Sequence, residues 1–281
     1  MSRLSFENYG KRARELSQDT EISGRYQIQE DSERSIILDV VEKLKIQPTD
    51  SILDIGCGTG YLSNLISQYL PNSNIVCMDF SYEMASQCKN KNIKLKPLVA
   101  DAEYMPFKTS TFDLVISSFT LHWCRQIDKI FFDIFRILKN DGNFMFTTVG
   151  PDTLKELRDA YKLIDNYEHI NTFDDMHTYG DILLSSGFHD PVMDVERLII
   201  EYKNFNEVLQ SLRKTGASTV IYNENKFTTK KSLKDLENHY KKSNKNGLFP
   251  VTYEMIYGVA WKKSAQNPKN NEVVIPIKII D

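Results

Sequence analysis

The sequence has few features of a secreted, membrane-spanning or metal-binding protein. No apolar run approaches the roughly 18 residues that a membrane-spanning helix needs, and the opening MSRLSFENYGKR has no apolar core of signal-peptide length. The four cysteines show no CxxC spacing, which argues against a disulfide scaffold and against a zinc site. We therefore expect a soluble, cytoplasmic protein without a metal site, in which the cysteines are small hydrophobic side chains.

The chain also lacks an excess of charge of one sign. Its 35 Lys and Arg residues and 38 Asp and Glu residues give a formal net charge of −3, so the overall charge does not indicate binding to nucleic acid. Apolar residues make up 41% of the 281 positions, an ordinary share for a globular protein. This length is sufficient for one large α/β domain, or for a domain with a substantial insertion.

Short apolar segments alternate with helical patterns between residues 51 and 149. The clearest amphipathic helix runs from Ile127 to Leu138, with its apolar residues at helical spacing. The five predicted strands are residues 51–55, 74–79, 94–99, 112–117 and 143–149. Each is a nearly continuous apolar run, as expected for a parallel sheet that is covered on both faces. We predict an α/β, Rossmann-like fold with a seven-stranded, mostly parallel sheet and helices on both faces.

The pattern changes after Gly150. We predict a helix over 151–164 and a second helix that begins at an Asp174 N-cap and ends at Gly187. Two longer β segments, 192–202 and 251–261, would close the sheet as an antiparallel pair. The predicted organisation is an irregular segment 1–34, a cofactor-binding core 35–150, a substrate-side region 151–262 that includes a helical insertion, and a tail 263–281 that could add an edge strand.

A glycine-rich loop, DIGCGTG at residues 54–60, follows the first predicted strand. Gly56 and Gly58 allow a tight turn and a close approach to a ligand, and Gly60 lets the following helix pack closely on the strand. Glycine loops of this kind also bind pyrophosphate, and GxGxxG alone is a weak signal. Here the spacing is G-x-G-x-G, and Asp54 precedes it. That carboxylate would repel a phosphate group but can pair with an ammonium group.

Acidic residues follow the next two strands as well. Asp79 ends the second strand, where it can accept hydrogen bonds from both hydroxyls of a ribose, and Asp101 follows the third, within reach of an adenine amino group. Three acids around one glycine loop favour a cationic cofactor with a ribose and no phosphate, which is S-adenosylmethionine. The alternatives are solvated acids at strand ends and a dinucleotide-binding oxidoreductase. The predicted cofactor contacts are Asp54, Gly56, Cys57, Gly58, Gly60, Asp79, Phe80, Asp101, Ala102 and Ser117.

Two stretches of this region resemble the class I methyltransferases. LDIGCGTG at residues 53–60 is similar to their first motif, and FDLV at 112–115 is similar to the motif on their fourth strand. The resemblance covers about residues 35–150. It implies the cofactor and leaves the substrate open.

The second half resembles the malonyl-acyl-carrier-protein O-methyltransferases of biotin synthesis. The similar stretches are GPDTLKELR at 150–158, HTYGD at 177–181, GFHDPVMD at 187–194, VTYE at 251–254 and YGVAW at 257–261. Together the likeness runs from about residue 50 to 262. It implies methyl transfer to the free carboxylate of a malonyl thioester on acyl carrier protein, and it implies that residues 1–34 form a lid over the active site.

A malonyl carboxylate is already ionised at neutral pH, so its methylation needs alignment rather than a general base. Arg158 is our candidate for holding this carboxylate, because a guanidinium can bind a planar carboxylate bidentately. The alternative is a surface charge paired with Glu156 or Asp159. After the fourth strand, Trp123 could line the substrate pocket and His122 could donate a hydrogen bond, although a histidine beside aromatic residues is more often a packed residue.

A basic segment at 213–245 contains nine Lys and Arg residues against three acids. Acyl carrier proteins are acidic, so this segment could be the surface on which one docks, on a protein that we expect to be a monomer. The more usual explanation of such a segment is a solvated helix face.

Other functions remain possible from the sequence. The mitochondrial complex I assembly factors with arginine-hydroxylating activity share features such as GxDTLxELR, and a small-molecule methyltransferase would carry the same cofactor motifs. A scaffold that binds the cofactor without catalysis would not need the intact set of acids and glycines. A nucleic-acid methyltransferase is disfavoured because no N/D-P-P-Y/F-like sequence follows the fourth strand.

Overall fold

The computed structural model describes residues 46–47, 50–92, 94–165, 167–214, 230–243 and 247–263. The strands are β1 (Ser51–Ile55), β2 (Asn74–Asp79), β3 (Lys96–Val99), β4 (Phe112–Ser118), β5 (Leu138–Val149), β6 (His189–Tyr202) and β7 (Phe249–Trp261). The α-helices are α1 (Tyr61–Tyr69), α2 (Tyr82–Lys91), α3 (Ile127–Ile137), α4 (Lys155–Lys162), α5 (Met176–Ser185), α6 (Phe205–Lys214) and α7 (Lys230–Ser243), with a short 3₁₀ turn at Leu121–Trp123. The predicted lid segment 1–34 and the tail after Lys263 lie outside the described residues.

The seven strands form one sheet in the order β3-β2-β1-β4-β5-β7-β6. Strands β1 to β5 pair in parallel, and β7 pairs antiparallel with both β5 and β6. The predicted Rossmann-like sheet, closed by an antiparallel pair, is confirmed. The strand order reverses between β1 and β4, and ligands of open α/β sheets bind beyond the carboxyl ends of the strands at such a reversal.

The two faces of the sheet are buried by different helices. Leu53 and Ile55 of β1 belong to a core cluster shared with α3 and α5, whereas Ile52 belongs to a second cluster shared with α1 and α2. Alternate residues of a strand point to opposite faces, so one apolar run supplies both clusters. This packing fixes the carboxyl end of β1, from which the glycine loop begins.

A third cluster lies on the substrate side of the fold. It joins α4, α6 and α7 to the first part of β7, through residues such as Leu157, Val208, Leu236 and Val251. Each of these four side chains is buried. The region after Gly150 is therefore anchored to the same sheet as the cofactor-binding region.

Several predicted boundaries were wrong by a few residues; β5, β6 and β7, for example, begin earlier than predicted. The helix expected over 151–164 starts only at Lys155, because residues 151–154 form a turn in which Leu154 has a φ of 59°. The N-cap of α5 is Asp175 rather than Asp174, since the Asp175 side chain accepts the hydrogen bond from the Thr178 amide at 2.8 Å. The helix α5 ends at Ser185, before Gly187, and β3 begins at Lys96 and ends at Val99, two residues before Asp101.

Within the described ranges, every helix is too short or too polar to cross a lipid bilayer.

Candidate active site

The glycine loop lies at the carboxyl end of β1 and is held by backbone bonds to β2. The amides of Gly56 and Cys57 both donate to the Met78 carbonyl, at 2.7 and 3.0 Å. The three glycines have positive φ values of 70°, 54° and 77°. A Cβ atom at Gly56 would lie 2.0 Å from Thr120 Oγ1, whereas a Cβ atom at Gly58 would meet nothing within 4 Å. The loop therefore packs against the protein at Gly56 and borders open space at Gly58.

Asp79 connects this loop to the end of β2. Its Oδ2 accepts a hydrogen bond from the Gly58 amide at 2.9 Å, and its Oδ1 accepts one from the Ser81 amide at 2.8 Å. Burial raises the pKa of the Asp79 carboxyl, and these bonds from backbone amides oppose the rise. A carboxylate oxygen can accept more than one hydrogen bond. Asp79 can therefore hold the loop and still accept bonds from a ligand.

Asp54 lies beneath the loop, with 1% of its surface exposed. Its Oδ2 accepts a hydrogen bond from Ser63 Oγ at 2.5 Å. Burial, reinforced by Cys77, raises the pKa of the Asp54 carboxyl to about 8. The side chain thus supports the loop from below and is largely protonated at neutral pH. Pairing of Asp54 with an ammonium group stays a prediction, and it would require this carboxyl to ionise.

Replacing Asp54 with asparagine is expected to change how stability depends on pH. The folded protein keeps a proton on Asp54 up to a pKa of about 8, whereas the unfolded chain releases it near the ordinary value of 3.8. The contribution of Asp54 to stability is therefore full below about pH 4 and is lost as the pH rises towards 8. We expect Asp54→Asn to gain stability relative to the wild type over this interval, as measured by urea unfolding at several pH values. A constant difference between the two proteins would contradict the raised pKa.

Alanine substitutions at Gly58 and Gly60 should separate folding from ligand binding. Both residues have a positive φ, but a Cβ atom at Gly60 would lie 2.6 Å from Cys88 Sγ. We expect Gly60→Ala to destabilise the protein by about 2–4 kcal/mol, since overpacking adds to backbone strain. Gly58→Ala should lose only about 1–2 kcal/mol, from strain alone, yet weaken S-adenosylhomocysteine binding by filling the open side of the loop. Equal losses of stability, with ligand binding retained in Gly58→Ala, would contradict this division.

The remaining predicted cofactor residues surround the same edge of the sheet. The Ala100 amide donates to the Asp79 carbonyl at 3.1 Å, which brings the segment after β3 next to β2. Asp101 begins that segment, and its Oδ1 accepts a hydrogen bond from the Glu103 amide at 2.8 Å. Phe80 follows Asp79 directly, and 43% of its surface is exposed. The last three predicted contacts are Cys57 (buried), Ala102 (half-buried) and Ser117 (buried).

Ser117 and Thr120 connect β4 to β1. Ser117 Oγ donates to the Ile55 carbonyl at 3.1 Å, and Thr120 Oγ1 donates to the Gly56 carbonyl at 3.1 Å. Both bonds fix the entrance of the glycine loop. Sequence reasoning missed Thr120, because no local pattern shows that a residue 64 positions away contacts Gly56.

The candidate substrate residues His122 and Trp123 follow β4 at this edge. Their ring centroids are 5.1 Å apart, and the His122 ring also meets Phe173 edge-on, with centroids 5.8 Å apart. Both side chains are partly exposed. Phe173 was not predicted, and it links the end of β4 to the segment that follows α4.

Arg158 on α4 contacts the same segment. Its Nη1 donates to the Pro151 carbonyl at 2.7 Å, and its Nη2 donates to the carbonyls of Thr153 at 3.0 Å and Asn171 at 3.5 Å. Arg158 also lines a cavity of about 400 Å³, together with Tyr161, Lys162, Asp165, Tyr167, Glu168, His169, Ile170 and Thr172. Arg158 and His122 thus contact the same short segment, at Asn171 and at Phe173.

The two acids near Arg158 have other partners. Glu156 accepts hydrogen bonds from the Thr252 amide and hydroxyl, and Asp159 lies 3.3 Å from Lys162 Nζ. The structure thus gives Arg158 backbone carbonyls as partners, in place of the surface ion pair considered as its alternative role.

The basic segment 213–245 lies mostly outside the described side chains. Parts of its backbone belong to α6 and α7, and residues 215–229 and 244–246 are not described. Of its basic side chains, that of Lys234 is described, and it is exposed.

Comparison with known proteins identifies the class and then the family. A family model described as a methyltransferase domain matches residues 53–146, which include the glycine loop, Asp79 and Asp101. The chain is an S-adenosylmethionine-dependent methyltransferase of the Rossmann-like class. Malonyl-[acyl-carrier protein] O-methyltransferases from Gallionella capsiferriformans and Legionella pneumophila are 34% and 38% identical to it, covering 85% and 86% of this chain and 86% and 87% of theirs. The chain belongs to this family of malonyl-[acyl-carrier protein] O-methyltransferases.

Other similar proteins are more distant in sequence or in coverage. A mitochondrial arginine-hydroxylase from Homo sapiens is 32% identical, covering 75% of this chain and 63% of that protein. Among solved structures, the YcgJ protein from Bacillus subtilis shares 17% identity with a TM-score of 0.58, covering 81% of this chain and 98% of its own. A phosphoethanolamine N-methyltransferase from Haemonchus contortus, solved with S-adenosylhomocysteine, shares 20% identity with a TM-score of 0.53, covering 83% and 53%. These two structures support the fold.

Proposed function

We propose that this protein transfers the methyl group of S-adenosylmethionine to the free carboxylate of a malonyl thioester on acyl carrier protein, an early step in biotin synthesis. The observation that carries the proposal is the extent of the similarity to the malonyl-[acyl-carrier protein] O-methyltransferases. It covers 85–86% of the chain and so reaches well beyond the matched domain at 53–146, into the region that contains Arg158.

The cofactor fits the residues around the glycine loop. Asp79 would accept hydrogen bonds from the ribose hydroxyls, and Gly58 leaves the space above the loop open for the methionyl part. Asp101 would bind the adenine amino group, and the exposed ring of Phe80 would pack on the adenine. Asp54 would pair with the methionyl ammonium group if binding ionises it. When bound, S-adenosylmethionine supplies an electrophilic methyl group on a sulfonium.

The protein has to align the substrate carboxylate with that methyl group. A malonyl carboxylate is ionised at neutral pH, so no side chain has to remove a proton. The Arg158 guanidinium would bind one carboxylate oxygen and leave the other free to attack in line. His122 would donate a hydrogen bond, and Trp123 would form a wall of the pocket. Exclusion of water and correct orientation are therefore the expected sources of the rate enhancement.

The proposal has three further parts. The acyl carrier protein docks on the basic segment 213–245, the protein is a monomer, and its location is the cytoplasm. The exposed side chain of Lys234 supports the docking surface, because an acidic carrier would approach a basic face. The cysteines support the location. Cys57 Sγ and Cys88 Sγ lie 3.5 Å apart as free thiols, which suits a reducing compartment.

A second candidate function is arginine hydroxylation. It is favoured by the 32% identity to the human arginine-hydroxylase over 222 residues. It ranks behind methyl transfer because this chain covers 63% of that protein, against 86–87% of the two malonyl relatives.

Release of S-adenosylhomocysteine from S-adenosylmethionine distinguishes these functions. Purified protein is mixed with the cofactor and with malonyl-acyl carrier protein, acetyl-acyl carrier protein or free malonate. We expect release with the malonyl carrier alone, because acetyl lacks the carboxylate and free malonate lacks the carrier. Release with free malonate at an equal rate would move the substrate to a small molecule. No release with any of the three, although the cofactor binds, would favour the hydroxylase alternative.

A further inference from the structure

Glu254 is a buried acid on β7 that lies against the turn leading to α4. Its side chain is one of the few buried charged groups on the substrate side, with 5% of the residue exposed. The backbone carbonyl of Glu254 accepts a hydrogen bond from the Gly150 amide at 2.8 Å. The side-chain Oε2 of Glu254 accepts one from the Asp152 amide, also at 2.8 Å. Thr153 Oγ1 donates a hydrogen bond to the Glu254 carbonyl at 3.1 Å and accepts one from the Glu254 amide at 3.0 Å. Residues 150–153 are thus fixed to β7 by one residue about a hundred positions away.

The fit between Glu254 and this turn leaves little freedom. A Cβ atom at Gly150 would lie 2.6 Å from Glu254 Oε2, so the turn approaches the carboxylate as closely as a glycine allows. The position of the carboxylate therefore determines the position of the Pro151–Thr153 backbone.

Arg197 of β6 neutralises the buried charge. Its Nε and Nη2 donate to Glu254 Oε1 at 3.2 and 3.0 Å, and its Nε also lies 3.1 Å from Asp152 Oδ2. A buried carboxylate without such a partner is strongly destabilising. Arg197 thus joins the acid on β7 to the acid in the turn.

The opposite side of the turn faces Arg158. The carbonyls of Pro151 and Thr153 accept hydrogen bonds from Arg158 Nη1 and Nη2, at 2.7 and 3.0 Å. The turn therefore lies between two charged groups, with its amide side bonded to Glu254 and its carbonyl side bonded to the guanidinium. It also follows β5 directly, at the edge of the sheet where the glycine loop lies.

We propose that Glu254, held by Arg197, is a positioning residue that sets the orientation of the Arg158 guanidinium towards the substrate carboxylate. The inference rests on the proposed function, in which Arg158 binds the malonyl carboxylate. Glu254 acts through the turn at 150–153 and does not touch the substrate.

A double-mutant cycle with Arg158 tests this role. Steady-state kinetics with malonyl-acyl carrier protein are compared for the wild type, Glu254→Gln, Arg158→Lys and the double variant, together with S-adenosylhomocysteine affinity. Glutamine keeps the size of the side chain but loses the charge that orients Arg197. We expect Glu254→Gln to raise KM about tenfold with cofactor affinity unchanged, and the double variant to resemble Arg158→Lys alone. Glu201→Gln, at an exposed position of the edge strand β6 that also carries Arg197, is the matched control and should leave KM unchanged.

Independent effects, in which the fold-changes of the two single variants multiply, would overturn the proposal, as would a parallel loss of cofactor affinity in Glu254→Gln. If Glu254→Gln does not fold, Arg197→Lys enters the same cycle, because lysine keeps a positive charge beside Glu254 but loses the paired donors of the guanidinium. Failure of the wild type to methylate the malonyl carrier would overturn the proposed function and this inference together. A raised KM in Arg158→Lys with no effect of Glu254→Gln or Arg197→Lys would overturn this inference alone.

Discussion

Replacement of Asp79 by alanine is expected to weaken S-adenosylhomocysteine binding by at least about 100-fold. In the structure, the Asp79 carboxylate accepts hydrogen bonds from the amides of Gly58 and Ser81. It is also the proposed acceptor for hydrogen bonds from the ribose hydroxyls. Hydrogen bonds to a charged group contribute about 1.5–3 kcal/mol each, and about 1.4 kcal/mol corresponds to a factor of ten in affinity. Isothermal titration calorimetry with S-adenosylhomocysteine measures the change directly.

Asp50→Ala is the matched control for this variant. Asp50 precedes β1 at the opposite edge of the sheet, where its Oδ2 accepts a hydrogen bond from the Gln47 amide. The Asp50→Ala variant should bind S-adenosylhomocysteine as the wild type does. Wild-type affinity in Asp79→Ala would rule out the proposed cofactor site.

Replacement of Arg158 by alanine is expected to lower kcat/KM for malonyl-acyl carrier protein by about 100- to 1,000-fold while cofactor affinity is retained. The expected loss corresponds to two charge-assisted hydrogen bonds that the guanidinium would donate to one oxygen of the substrate carboxylate, worth about 3–4 kcal/mol together. Arg158→Lys keeps the charge but not the paired donors, so it should lose about 10- to 100-fold. Steady-state kinetics and calorimetry on the same preparations separate the two effects.

Because Arg158 also donates hydrogen bonds to three backbone carbonyls, its alanine variant should melt at a lower temperature than the wild type. Lys162→Ala is the control, since Lys162 lies one turn further along α4 and lines the same cavity. It should keep wild-type activity. Equal activity losses in Arg158→Ala and Lys162→Ala would mean that the substrate contacts this cavity in a different way.

The sequence was sufficient to predict most of the fold. Strands β1, β2 and β4 are nearly continuous apolar runs, and the acids at 54 and 79 lie at the ends of β1 and β2, whereas Asp101 follows β3 by two residues. Parallel strands bring their carboxyl ends to one edge of a sheet, so the strand pattern alone places these acids together although they are far apart in the chain. The closing pair β6 and β7 was predicted from its length and its position after the helices.

Contacts between distant segments were not predictable. Thr120 meets Gly56, and Glu254 meets Asp152, through pairings that depend on the strand order and carry no local pattern. The start of α4 was misjudged because helical spacing continues through 151–154, whereas the bonds to β7 hold those residues in a turn. The hydrogen bond that the buried Asp54 accepts from Ser63 of α1 is likewise not indicated by the motif.

Intact mass spectrometry of malonyl-acyl carrier protein, after incubation with this protein and S-adenosylmethionine, tests the central claim most directly. The account predicts a gain of one methyl group on the malonyl carrier, located on the malonyl group by fragmentation of the released prosthetic arm, and no gain on the acetyl carrier. An unmodified malonyl carrier, under conditions in which calorimetry shows that the cofactor binds, would contradict the proposed substrate.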